Sequence, residues 1–383
     1  MFNDVDDAAF RQLKNRLTSP SPTISDNGLY VFESRAADFN IEEREEKAKE
    51  TLKSHVREFL GDDGSLYPII DQIVGEGGAA LRALYDDDIS YLNRNQQQIK
   101  NLELVVQSDG TRPSFLIRNG AIDKTSSPIS NWDTILDNRR QEIEHAISCV
   151  GRINAFGAAM GTGFLIAPNL VMTNRHVLEA IGRFEAGVWR IDESAVIDFG
   201  HEYRAIRSKN MRRLTKVIFT GDTAINKILN HNNLDMAIIE IDPINCGLRP
   251  LSVDLSDNWT EDELIIFTIG YPTSYTETDY SLLDTLFRSL LGFKRISPGR
   301  IQTESMVNVP GWTFSHDATT LGGNSGSVIL AINNESVAAG LHYGGTRSPL
   351  INWGHILGGT LSTAYGAVSL RDLLEQHRVT FFS

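Results

Sequence analysis

The chain has 383 residues, of which 41% are hydrophobic and 22% are charged, and its formal net charge is −13 at pH 7. This length predicts two domains, or one large domain with an extension, and the composition is typical of a soluble globular protein with a substantial core. Nucleic acids and anionic membranes bind basic surfaces, so the negative charge argues against either as a partner.

The sequence also bears on location and cysteine chemistry. The first residues, MFNDVDDAAFRQLKNRL, are acidic and amphipathic and lack the basic and apolar regions of a signal peptide. No apolar run approaches the length of a membrane span. The two cysteines, Cys149 and Cys246, are interpreted as small buried apolar residues, although a single bridge stays open. We therefore expect a cytoplasmic protein.

Residues 1–135 are predicted to form a mostly helical accessory region. Ile41–Gly61 has acids early, a glycine at its end and an apolar stripe, which predicts a helix. A β-hairpin is predicted near 102–118, with its turn at Asp109-Gly110. Ala121–Trp132 is the candidate linker, followed by a short helix from about Asp133 to Ile147. Because nothing here suggests chemistry, we interpret the region as a packing, docking or regulatory module that could bind a protein partner.

Residues 136–383 change in character, because short β-rich runs follow one another from Ser148 onward. They are separated by clusters of Gly, Pro, Asn and Asp, which indicates an all-β barrel or sandwich rather than βαβ units. A last segment, YGAVSLRDLLEQHRV, has helical periodicity and is expected on the outside of this β domain.

Three β-rich segments of this domain each contain one chemically useful polar residue. His176 ends the run LVMTNRH, Asp235 begins the run LDMAIIEI, and Ser325 lies in GGNSGS. Taken singly, they could be a structural histidine, a turn acid and a turn serine. A serine hydroxyl needs an imidazole to accept its proton, and the imidazole needs a buried carboxylate to hold its tautomer. The glycines allow two backbone amides, those of Gly323 and Ser325, to face a developing oxyanion.

These segments together resemble the trypsin-like group of chymotrypsin-fold serine peptidases, which includes bacterial glutamyl endopeptidases. The matching stretches are GTGFLIAPNLVMTNRHV, LDMAII, IGYP, GGNSGSVIL and GLHYGG. The resemblance implies a mainly β fold, a double β-barrel preceded by the helical region with its short hairpin. It also implies a catalytic triad of His176, Asp235 and Ser325, the first two on the first barrel and the serine on the second. The expected reaction is peptide-bond hydrolysis through an acyl-enzyme.

The resemblance also suggests which residue is recognised before the scissile bond. Relatives that cut after Arg or Lys have an acid six residues before the nucleophile, where this chain has Thr319. Glutamyl endopeptidases have a hydroxyl residue five positions before the serine and a histidine on the next strand, which correspond to Thr320 and His342. We therefore place Thr320, His342 and Gly344 in the S1 pocket and predict a preference for Glu. The alternative is that His342 only packs at the end of a strand.

Other polar residues have simpler interpretations. His316 and Asp317 precede the serine closely and are expected in the pocket wall or a turn. His201, His231 and His355 lack metal-ligand spacing, and no phosphate-binding loop follows a strand, so neither metal nor cofactor is predicted.

The sequence also allows other interpretations besides an active serine endopeptidase. The chain could be a zymogen that requires cleavage within 138–152, or a catalytically silent barrel that binds proteins. It could also be an adaptor whose helical region recruits a partner. The segment Thr276–Gly299 is an insertion, interpreted as a partly helical loop near the cleft.

Overall fold

The structure is a computed structural model, and it describes most of the chain after residue 39. The described residues are 14, 23–24, 30–31, 40–61, 63–127, 132–204, 210–225, 230–243, 248–273, 291–303, 306, 309–320, 323–332, 334, 336–345 and 351–383. Within this part of the chain, no helix is both long and apolar enough to cross a membrane.

The described residues between 40 and 108 are mostly helical, as their sequence predicts. A short strand pair, β1 (Thr23–Ile24) and β2 (Tyr30–Val31), precedes the helices. The helices are α1 (Ile41–His55), α2 (Tyr67–Tyr85), α3 (Ile89–Arg94) and α4 (Gln96–Ser108), with a π-helical turn at Val56–Leu60 and a 3₁₀ turn at Gly64–Leu66. Asn40 caps α1 by accepting a hydrogen bond from the Glu43 amide at 3.0 Å.

The predicted position of the hairpin, near 102–118, is wrong, because helix α4 occupies the first part of that range. Residues 102–108 are helical, and the hairpin lies later, between β3 (Phe115–Arg118) and β4 (Ala121–Ile122). The error arose because α4 is buried on two sides, so its apolar residues lack simple helical spacing. Leu104 and Val105 pack in one apolar cluster, while Leu102 and Val106 pack in another. The resulting alternation imitates a strand.

The helix expected near 133–147 is present as two consecutive helices that lead into the β domain. They are α5 (Trp132–Asn138) and α6 (Arg140–Cys149). Cys149 is a buried free thiol at the end of α6, and Cys246 lies outside the described residues. The buried side chains of α5 and α6 share one core with the β domain.

The first barrel is a closed sheet of six antiparallel strands. In spatial order they are β10 (Val196–Asp198), β11 (Met211–Thr220), β12 (Ala237–Ile241), β7 (Leu170–Thr173), β6 (Ala158–Ala167) and β5 (Val150–Ala155). A short helix and a hairpin follow β7; they are α7 (Arg175–Ile181), β8 (Gly182–Glu185) and β9 (Val188–Ile191).

The second barrel belongs to an eight-stranded sheet that also includes the N-terminal hairpin. Its own strands, in spatial order, are β16 (Thr313–His316), β20 (Asn352–Ile356), β19 (Gly340–Gly345), β17 (Val328–Ala331), β14 (Ile265–Gly270) and β15 (Arg295–Arg300). A bridge between Ile301 and His316 joins β15 to β16 and closes the ring. Strand β3 pairs with the outer edge of β15. The mainly β, double-barrel architecture is therefore confirmed.

The remaining elements of the described chain are short. They are β13 (Ser252–Asp254), β18 (Val337–Ala338), α8 (Leu357–Thr360), β21 (Ala364–Tyr365), β22 (Val368–Ser369), α9 (Leu370–Gln376) and β23 (Phe381–Phe382). Helix α9 begins with a capping box between Ser369 and Asp372. Of the predicted insertion Thr276–Gly299, residues 295–299 belong to β15, and 276–290 lie outside the described residues.

Candidate active site

The His176 imidazole and the Asp235 carboxylate form a direct pair beside the first barrel. Strand β7 ends at Thr173 and α7 begins at Arg175, so His176 lies in the first turn of a helix. Its Nδ1 is 2.6 Å from Asp235 Oδ2, and its backbone amide donates to Asp235 Oδ1 at 3.0 Å. The acid is 5% exposed and the imidazole 32%. A carboxylate bound on both oxygens fixes the ring so that its other nitrogen can accept a proton.

Two residues that the sequence analysis did not assign to the site hold the backbone of Asp235. The side-chain amide of Asn174 donates to the Asp235 carbonyl at 2.8 Å. The Asp235 amide donates to His355 Nε2 at 3.0 Å, which requires that nitrogen to be unprotonated. Burial lowers the pKa of His355 to about 4, so the ring stays neutral and keeps this acceptor at physiological pH. His355 comes from β20, so the second barrel supports an acid of the first.

Ser325 lies in a tight turn between two glycines with left-handed backbone. Gly323 has φ +94° and Gly326 has φ +87°, values that side chains disfavour. The Ser327 amide donates to the Asn324 carbonyl at 2.8 Å and closes the turn. A β-carbon on Gly323 would come within 2.6 Å of the Tyr271 carbonyl oxygen, so the turn also requires glycine sterically. The described part of this motif, Gly323–Ser327, is therefore a tight turn that leads into β17.

The serine turn is docked against the first barrel. The Thr162 amide donates to the Ser325 carbonyl at 2.8 Å, and the Thr162 hydroxyl donates to the Gly323 carbonyl at 2.9 Å. A β-carbon on Gly161 would meet both the Val177 side chain, at 2.7 Å, and the Ser325 carbonyl oxygen, at 3.1 Å. Gly161 therefore lies between the side chain of Val177, which follows His176, and the backbone of Ser325.

The hydroxyl and the imidazole themselves are not hydrogen-bonded. Among the residues that the structure describes, Ser325 Oγ makes no hydrogen bond to His176, whose ring contact is with Asp235. Such bonds are often long until substrate binds. The structure thus joins two of the three predicted residues directly and brings the backbone of the third alongside.

The two amides predicted for the oxyanion hole differ from the two amides that follow Ser325 in the turn. The Gly326 amide donates to the His342 carbonyl at 3.0 Å and the Ser327 amide donates to Asn324. Within the described part of the chain, the amides of Gly323 and Ser325 donate to no backbone carbonyl. Amides left without a protein acceptor beside a serine are suited to bind an oxyanion.

The predicted pocket residues lie on β19 and on the segment that follows β16. His342 and Gly344 belong to β19, and the register shift between them against β20 marks a bulge. The Thr320 hydroxyl donates to Asn352 Oδ1 at 2.6 Å, and Asn352 Nδ2 donates to the Ala318 carbonyl at 2.8 Å. Asn352, which the sequence analysis did not single out, therefore orders the segment that carries Thr320.

His342 is buried, and it contacts a second histidine. Its Nδ1 is 3.2 Å from His316 Nε2, so one ring donates to the other. Burial lowers the pKa of His342 to about 3, and nearby His176 contributes to the same shift. The ring is therefore neutral at physiological pH, and it can offer a ligand a hydrogen bond but no positive charge.

A cavity of about 610 Å³ opens next to Arg175, one residue before His176. None of Thr320, Ser325, His342 or Gly344 lines it, so it is distinct from the predicted S1 pocket. Its apolar lining comes from aromatic and aliphatic side chains, among them Phe184, Val188, Trp189, Phe219, Leu234 and Trp312.

The two barrels bring a buried acid, an imidazole and a serine turn to their junction. This arrangement defines a class of protein, the double-barrel serine hydrolases. Residues 161–339 match the family model described as a trypsin-like peptidase domain. A probable serine protease of Lysobacter enzymogenes is 29% identical over 273 residues, which is 64% of this chain and 69% of that protein. Residues 161–339 therefore match a trypsin-like peptidase domain, and together with this relative they support a serine peptidase.

Solved structures are also similar to part of the chain. A Glu endopeptidase in complex with MPD has a TM-score of 0.41 and 21% identity, over 55% of this chain and 85% of that one. Human heparin binding protein has a TM-score of 0.39 and 13% identity, over 56% of this chain and 88% of that one. Mouse neuropsin has a TM-score of 0.39 and 11% identity, over 56% of this chain and 91% of that one.

Proposed function

We propose that this serine peptidase is an endopeptidase that uses Ser325 as nucleophile, His176 as general base and acid, and Asp235 as the residue that orients the imidazole. The observation that carries the proposal is the 2.6 Å contact between His176 Nδ1 and Asp235 Oδ2. This contact leaves Nε2 as the nitrogen that takes the serine proton. The amides of Gly323 and Ser325 are assigned to the oxyanion.

The proposed reaction has two halves that exchange one proton through His176. In the first half, Ser325 Oγ attacks the scissile carbonyl, its proton passes to Nε2, and the two amides bind the oxyanion. The imidazolium then protonates the leaving amine, and an acyl-enzyme remains on Ser325. In the second half, a water molecule attacks the ester and gives its proton to Nε2, which returns it to Ser325 Oγ. Asp235 stabilises the imidazolium in both halves.

We further propose that the S1 pocket prefers a Glu side chain. In this proposal the neutral His342 ring gives a hydrogen bond to a carboxylate, the Thr320 hydroxyl gives a second once it exchanges its present acceptor Asn352 Oδ1, and Gly344 adds no side chain to the pocket. Each hydrogen bond to a charged group in a dry site contributes about 1.5–3 kcal/mol. Thr319, six residues before the serine, offers no negative charge to Arg or Lys.

The preference is tested with peptides that differ only in the residue before the scissile bond. We expect the largest kcat/KM for Glu, and we expect His342→Leu to reduce the ratio of Glu to Gln cleavage by roughly 10- to 150-fold, as one such hydrogen bond predicts. His377→Leu, at the end of α9, is the control and should leave the ratio unchanged. A wild-type preference for Arg or Phe contradicts the assignment.

We also propose that residues 1–135 regulate or target the peptidase domain. This proposal is supported by strand β3, which pairs with β15 of the second barrel, since the N-terminal region thereby touches the sheet that carries the pocket. The zymogen alternative is tested by N-terminal sequencing of protein incubated alone. An intact chain with full activity rules out cleavage within 138–152 as a requirement.

A further inference from the structure

A buried ion pair connects the N-terminal region to the segment that precedes Ser325. Arg112 Nε and Nη2 donate to Asp317 Oδ2 at 2.9 and 2.6 Å. The two side chains are 1% and 0% exposed, and they are separated by 205 residues. A pair so far apart in sequence and so completely buried is part of how the two regions are assembled.

Arg112 is held from the side of the N-terminal helices. Its amide donates to the Val106 carbonyl of α4 at 3.1 Å. The preceding turn is fixed by Asp109, whose Oδ1 accepts from the Thr111 amide at 2.8 Å and whose Oδ2 accepts from Arg44 Nε of α1 at 2.6 Å. The position of the Arg112 side chain therefore depends on α1 and α4.

Asp317 is held from the side of the pocket. Its Oδ1 accepts from the Arg300 amide at 2.7 Å, and its own amide donates to the Arg300 carbonyl at 3.0 Å. Two residues further on, the Thr319 hydroxyl donates to the Arg112 carbonyl at 2.9 Å. Arg112 thus contacts the segment 316–320 twice, once through its guanidinium and once through its backbone.

That segment contains the groups assigned above to the pocket wall. His316, adjacent to Asp317, contacts the ring of His342, and Thr320 follows Thr319 directly. A buried carboxylate without its partner is strongly disfavoured, so loss of Arg112 would displace Asp317 or draw water into the wall. Either change moves the flanking residues His316 and Thr320.

We propose that Arg112 is a positioning residue for substrate recognition: the N-terminal region supplies, within the intact chain, a positive charge that orders the S1 wall. This rests on the pocket assignment in the proposed function. It also names the contact through which residues 1–135 act on the peptidase domain.

The test uses the full chain and two readouts that separate the pocket from the triad. One is kcat/KM for the peptide that the wild type cleaves fastest. The other is the rate of labelling by a small fluorophosphonate that carries no side chain for S1. We expect Arg112→Met to lower kcat/KM by about 100-fold, as displacement of a binding group by ~1 Å does, while the labelling rate changes far less. Arg112→Lys should restore part of the peptide activity, because it keeps the charge but loses the two-pronged geometry.

The matched control is Leu81→Ala, which removes a fully buried side chain of α2 in the same region. It should leave the ratio of the two readouts unchanged. Equal loss of both readouts in Arg112→Met, or loss of neither, overturns the proposal. If Arg112→Met does not fold, Asp317→Asn decides by the same ratio, since it removes the charge at constant volume. A failure of the proposed function can be distinguished from a failure of this proposal. It would be seen in the wild-type protein, as a label on another residue or as a preference for another peptide.

Discussion

The two barrels contribute to the site in different ways. On the first barrel, His176 and Asp235 meet directly, and the imidazole remains partly exposed at 32%. On the second barrel, the proposed pocket wall contains the buried neutral ring of His342 and an ion pair whose arginine lies outside the barrel. The proposed chemistry therefore depends on a short-range pair, whereas the proposed recognition depends on contacts between distant parts of the chain.

The largest expected effect concerns the first barrel. His176→Ala should lower kcat by about 10⁶-fold, because triad members act as a unit, and Asp235→Asn by about 10⁴-fold, because it stabilises the wrong tautomer. Steady-state kinetics on one peptide measures both. Asp254→Asn, at a buried acid of β13 that faces no catalytic histidine, should retain activity. An Asp235→Asn enzyme with more than about a tenth of wild-type kcat contradicts the triad.

The second expected effect concerns the turn where the barrels meet. Gly323→Ala should lower kcat by about 10²–10³-fold, the usual cost of losing one oxyanion donor. The added β-carbon meets the Tyr271 carbonyl at 2.6 Å and strains a backbone with φ +94°. Gly157→Ala is the control for backbone strain alone. Gly157 also has a positive φ, +78°, but a β-carbon there would have no other atom within 4 Å. Equal kinetic losses in the two variants would remove the oxyanion assignment of Gly323.

The smallest expected effect concerns the buried rings of the second barrel. The pKa values of His342 and His355, about 3 and about 4, lie below the value near 6.5 of an unfolded histidine. Between pH 6.5 and about 4, the unfolded chain thus binds protons that the folded chain does not. The free energy of unfolding should therefore fall as pH falls, by about 1.4 kcal/mol per pH unit for each such ring.

Urea unfolding between pH 6.5 and 5 measures this slope. His355→Gln removes one titrating ring and keeps an oxygen that can accept the Asp235 amide, so its slope averaged over this range should be shallower by about 1 kcal/mol per pH unit. Above pH 6.5 the two proteins should depend on pH alike. Parallel lines over the whole range would show that His355 is not a buried neutral ring.

Whether a site residue could be predicted from the sequence depends on the same difference between short-range and long-range contacts. His176, Asp235 and Ser325 each lie in a short stretch with family-specific neighbours, so local sequence was enough to predict them as the triad and to predict the fold. Asn174, His355 and Arg112 act on partners 61, 120 and 205 residues away, and such contacts exist only once the barrels have packed. The misplaced hairpin has a similar cause, because burial of α4 on two sides is a tertiary effect that altered its local pattern.

The most direct test of the central claim is labelling of the full chain with a fluorophosphonate, followed by mapping of the modified peptide. The account predicts a single label on Ser325, no label in Ser325→Ala, and a reactivity lower by several orders of magnitude in His176→Ala. A label that persists in Ser325→Ala, or one that maps to another residue of the wild type, would contradict it.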